Sequence, residues 1–108
     1  MSRVKIVVTA PIKDASKIRQ ALGDAGAGRQ GEYSHCSFSG MGQGRFLPSE
    51  NASPHIGEPE KLEIVDEERI EVVCDRAIAR EVIAKLRAAH PYEEPAIDIY
   101  PLIDEEDL

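Results

Sequence analysis

The apolar patterning predicts an α+β domain, a ferredoxin-like β-α-β-β-α-β sandwich with an elaborated middle hairpin. Three observations carry that prediction. Two stretches have apolar residues at helical spacing: Ile18, Leu22 and Ala25, then Ile78, Val82, Leu86 and Ala89. Each is flanked by short segments in which apolar and charged residues alternate, the period of a strand. A glycine-rich run lies between two such segments, as a hairpin connection requires. At 108 residues the chain is long enough for one modest core and too short for two. Residues 1–103 therefore read as a single domain, and 104–108, which hold Asp104, Glu105, Glu106 and Asp107, as an acidic solvated tail.

In order, residues 4–9 form the first strand, with Val4, Ile6 and Val8 on one side and Pro11 closing it. Val7 makes the other side apolar too, which suggests a central strand. Asp14 or Ser16 is placed to cap the first helix, and Gly26 and Gly28 follow as its stop signals. Residues 31–38 read as the second strand, and 40–44 (Gly-Met-Gly-Gln-Gly) as a hairpin tip leading into Arg45-Phe46-Leu47. This glycine run does not lie between a strand and a helix, so it is no phosphate cradle. Residues 48–59 are a loop rich in Pro, Ser, Asn and Gly. Residues 61–65 and 69–74 alternate, with Asp66-Glu67-Glu68 as a turn between two strands or a bulge within one. The second helix covers about 78–89 and is ended by Pro91. Residues 96–100 form the last strand.

Composition narrows the function. Hydrophobic content of 42% with 31% charged residues describes an ordinary globular chain. A net charge of -7 argues against nucleic acid as a partner, since its phosphates would be repelled. No apolar run approaches the ~20 residues of a membrane span. Two cysteines, Cys36 and Cys74, make no disulfide framework, and no signal pattern opens the chain, so a cytoplasmic location is expected.

The polar chemistry concentrates in 90–95, His-Pro-Tyr-Glu-Glu-Pro, where two prolines hold an imidazole, a phenol and two carboxylates in a restricted backbone. His90 with Glu93 or Glu94 could bind a divalent ion through imidazole and carboxylate; equally, His90 suits a helix C-terminus on electrostatic grounds alone. The other histidines are His35 and His55. On a strand, His35 and Cys36 would point to opposite faces. Cys36 then reads as a small hydrophobe or His35 as a ligand with a distant partner, while Cys74 reads as core. A metal set of His35, His90 and Glu93 is the expectation, with their side chains within ~12 Å of one another in one chain or across copies, as direct ligation would require. No nucleophile-base-orienter set is visible, so catalytic residues are expected to be none.

The segment 90–102 resembles the corresponding segment of the Nif-three-like family, known for a two-metal centre and, in its longer members, for a small inserted domain. The runs 31–39 (Gly-Glu-Tyr-Ser-His-Cys-Ser-Phe-Ser), 42–46 (Gly-Gln-Gly-Arg-Phe) and 54–57 (Pro-His-Ile-Gly) are similar to that insert as well. The loop Asn51-Ala52-Ser53-Pro54 is longer than the family's simple Asn-Pro. The His-Pro-Tyr-Glu segment is also similar to the C-terminal motif of CutA proteins, trimers related in fold to the PII signalling proteins. The resemblance implies the insert alone, as a stand-alone chain, because the histidine and acidic motifs of the flanking metal-binding domains are absent. It implies a PII- and CutA-like binding or regulatory oligomer, a trimer with a divalent metal ion or small ligand in loops at the subunit interface. A purely structural oligomer, and a metal-dependent hydrolase or its accessory subunit, are the alternatives.

Overall fold

The computed structural model describes residues 2–108. Its elements are β1 (Arg3–Pro11), α1 (Ile12–Asp24), β2 (Phe38–Phe46), β3 (Glu63–Asp75), α2 (Arg76–Ala89) and β4 (Ile97–Leu102), followed by a short 3-10 turn, Glu105–Asp107. The sheet order is β2-β3-β1-β4, antiparallel throughout, so β2 and β4 are the edges. This is the ferredoxin-like sandwich that the patterning predicts.

Both helices pack on one face of the sheet. There β1 contributes Val4, Ile6, Val8 and Ala10, and β3 contributes Ile70, Val72 and Cys74. Against them lie Ala15, Ile18 and Leu22 of α1 and Val82 and Leu86 of α2, the side chains that recur every three or four residues. Burial of these apolar groups is the main source of stability. Val7 is also buried, although it points to the opposite, helix-free face, where its cross-strand neighbours are Glu71 and Asp98.

Four local expectations change. First, residues 31–37 are loop; β2 begins at Phe38 and runs straight through Gly40, Gly42 and Gly44, which pair with Arg69, Glu67 and Val65. The glycines are therefore strand and not hairpin tip, because a backbone ladder needs no side chains. Extension fails before Phe38 because Gly31 and His35 adopt left-handed backbone conformations, φ 59° at each. Second, Asp66, Glu67 and Glu68 lie inside one uninterrupted β3, paired with Gln43, Gly42 and Met41. Third, α1 starts immediately after β1 with Pro11 at its N-cap, so neither Asp14 nor Ser16 caps it; Asp14 sits in the first turn instead, where its charge suits the helix dipole. Fourth, Asp104 pairs with Arg3 at 2.9 Å, so the chain end is held to β1 rather than wholly solvated. The elaboration of the middle hairpin lies in residues 47–62, which return over the helix-free face.

Candidate functional site

The helix-free face carries a cavity of about 620 Å³, within the range of small-molecule sites. Its floor follows from register. Directly opposed residues of an antiparallel pair share a face, so Gly40, Gly42 and Gly44 stand on the same face as Arg69, Glu67 and Val65. Three successive positions of β2 on this face thus lack side chains, between Phe38 and Phe46. A Cβ at Gly40 or Gly42 would meet nothing within 4 Å. The walls come from Phe46, the 47–56 loop with His55, and the 92–96 segment.

Tyr92 is the hinge of the arrangement. Its ring meets Phe46 edge-on at 5.9 Å and His55 at 6.5 Å between centroids. Its hydroxyl donates to Glu67 Oε2 at 2.9 Å. Burial, and then the Glu67 carboxylate, push the phenol well above its ordinary value, so Tyr92 stays a protonated donor. Glu67 itself is only 6% exposed. Its Oε1 lies over Gly44, where an added Cβ would run into it. The neighbouring Glu68, also buried, pairs with Arg19 on the helix side.

The expected metal residues are placed as follows. His90 is 7% exposed and uses both ring nitrogens on backbone: Nε2 donates to Thr9 O at 2.8 Å, and Nδ1 accepts from Tyr92 N–H at 3.1 Å. That pattern defines a neutral ring with no lone pair left for an ion. Glu93 is exposed and accepts from Ser53 N–H at 3.0 Å, tying the 47–56 loop to the 92–96 segment. His35 lies in the loop before β2, with Nε2 3.0 Å from Asp24 Oδ1 and Nδ1 3.0 Å from Ser34 Oγ. Its ring covers Gly23 in the last turns of α1, whereas His90 touches Thr9, just ahead of the first turn. The length of α1, about 20 Å, separates the two within one chain. The structure brings His90 and Glu93 to one segment and leaves His35 at the far end. Among the described residues no group of three or more His, Cys, Asp or Glu side chains is placed to hold an ion.

The Ser34–His35–Asp24 chain has the outline of a charge-relay set. It lies exposed at the C-terminal end of α1, which presents carbonyls and no N–H donors for an oxyanion. Cys36 is exposed and Cys74 buried. Sequence reasoning passed over Glu67, Phe46 and the three glycines as one site. Gly-x-Gly-x-Gly ending on Phe46 is the signal that could have found them, since alternation puts all four on one face.

No protein-family model matches the chain. Curated relatives named GTP cyclohydrolase 1 type 2 homolog do. That of Mycobacterium bovis is 48% identical over 99 residues, 92% of this chain and 26% of its own length. That of Bacillus subtilis is 48% identical over 98 residues, 91% of this chain and again 26% of the relative. A solved structure, the Bacillus cereus protein related to NIF3, superposes with a TM-score of 0.83 at 46% identity, over 95% of this chain and 26% of that one. CutA from Archaeoglobus fulgidus, described as a periplasmic divalent cation tolerance protein, superposes with a TM-score of 0.68 at 22% identity over 94% and 85% of the two chains, a likeness of fold alone. The chain spans about a quarter of the length of the curated relatives it matches. Over nearly its whole length the chain is therefore homologous to about a quarter of these NIF3-related, or Nif-three-like, proteins, a stretch with the CutA-like fold.

Proposed function

We propose that the chain is a small-ligand binding or regulatory module that works as a homo-oligomer, a trimer, with the helix-free-face cavity as its ligand site. The observation that carries this reading is the cavity itself: a floor without side chains, aromatic walls and one buried carboxylate. Such a mixture of apolar surface with few polar groups is the usual make-up of ligand sites. The CutA-like fold and two unpaired sheet edges support self-association, since exposed edges are often covered by a neighbour. The cyclohydrolase named for the relatives belongs to proteins of which this chain matches about a quarter. A divalent ion would have to draw ligands from more than one copy, and His90 has no free nitrogen to offer.

The test is a small-molecule screen by thermal shift on wild type and on Gly42→Val. Valine suits a strand, and a Cβ at this position meets nothing within 4 Å, so the side chain projects into the cavity and obstructs its floor. Compounds that stabilise wild type and not Gly42→Val support the site. Compounds that stabilise both proteins equally, or no stabilising compound at all, contradict it. A sedimentation mass of a single 11.9 kDa chain at micromolar concentration would contradict the oligomer.

A further inference from the structure

The Glu67 carboxylate is a buried anion whose only hydrogen bond among the described residues comes from the neutral Tyr92 hydroxyl. Oε2 takes that bond; Oε1 has no donor and lies at the cavity wall above Gly44. A largely buried carboxylate with one neutral donor is less favourable than one that a cation completes. Of the cations nearby, Arg19 is engaged by Glu68 and Arg69 by Glu71 and Tyr100, while Arg45 on the cavity lining donates to the Gln43 side chain and none of the three bonds Glu67. The surrounding charge deepens the deficit, because the Asp14 carboxylate acts on Tyr92 and its own Oδ2 is buried without a partner. His90, beside Tyr92, is neutral in its bonding pattern.

The walls suit the same charge. The Phe46, Tyr92 and His55 rings surround the approach to Glu67, and aromatic faces attract organic cations. The glycine floor of β2 leaves a flat strip for an apolar body.

Resting on the cavity being the ligand site, we infer that its ligand is a small organic cation. A primary ammonium or amidinium nitrogen donates to Glu67 Oε1, and an aromatic or aliphatic body lies along Gly40 and Gly42 beneath Phe46 and Tyr92.

Three probes of matched shape test this at pH 7: benzylammonium, benzyl alcohol and benzoate, each titrated into the full chain by calorimetry. The proteins are wild type, Glu67→Gln and Gly42→Val. Glutamine keeps the volume and still accepts from Tyr92, and a thermal melt confirms folding of each variant. Benzylammonium should bind wild type best, lose about tenfold or more in affinity in Glu67→Gln, and fail to bind Gly42→Val. Benzyl alcohol should bind more weakly and be insensitive to Glu67→Gln; benzoate should not bind. If benzyl alcohol or benzoate matches benzylammonium in wild type and is lost in Gly42→Val, the cation assignment is overturned while the cavity stands. If no probe binds, or Gly42→Val binds as wild type does, both readings fall.

Discussion

His90 links the end of α2 to the core strand β1 through Thr9 and fixes the backbone of Tyr92 in the same stroke. Replacing it by Phe keeps the ring and strands a carbonyl and an N–H. The expected loss is about 2–4 kcal/mol in urea unfolding, with no change in any ion affinity. Tyr92→Phe removes the sole donor, among the described residues, to the buried Glu67 carboxylate and is expected to lower stability by about 1–3 kcal/mol, while Phe46 and His55 still pack on the ring. Asp24 gives the pH-dependent case. The His35 imidazole, and then Gln20, hold its carboxyl below the ordinary 3.8. Its contribution is therefore present above pH 3.8 and lost as pH falls through the lower folded value. Acid unfolding should show Asp24→Asn weaker than wild type near neutrality and the two converging in strong acid; a constant gap would place the effect elsewhere. The sequence made the chemistry of 90–95 conspicuous, yet a string of residues cannot show that His90 faces inward. Its ring bonds a carbonyl 81 residues earlier in the chain, and only the tertiary fold brings Thr9 there.

β2 is the element on which the site turns. Helices and the central strand were readable because their apolar residues repeat with a period that burial enforces, as Ile18 and Leu22 or Val4, Ile6 and Val8 do. β2 has no such period: its inward-facing set on the open side is glycine, which local rules assign to a turn. What makes it a strand is nine residues of pairing with β3, a long-range effect that propensity does not contain. Likewise, acidic Asp66-Glu67-Glu68 looked like a break because the burial of Glu67 and Glu68 depends on Tyr92 and Arg19 arriving from other elements. The glycines are not equivalent, and that is testable. Gly44→Ala drives a methyl into the Glu67 carboxylate and should destabilise by about 1–3 kcal/mol, whereas Gly42→Ala, with open space above it, should be neutral or slightly stabilising. Equal unfolding midpoints for the two variants would contradict the placement of Glu67 over Gly44.

At the scale of the molecule, the helices close one face of the sheet and leave the other to a loop, three aromatic rings and a buried acid. The excess negative charge of the chain, -7, favours the approach of a cationic ligand over that of an anionic one. The glycines also supply internal reporters, because Gly40, Gly42 and Gly44 line the floor while Gly26 and Gly28 lie beyond α1, outside the cavity lining. An amide-resolved NMR titration of wild type with benzylammonium uses both sets at once. The account predicts saturable shifts of the Gly40, Gly42 and Gly44 amides with Gly26 and Gly28 unmoved. Shifts of Gly26 and Gly28 with the β2 glycines still, or no shifts at all, would contradict it.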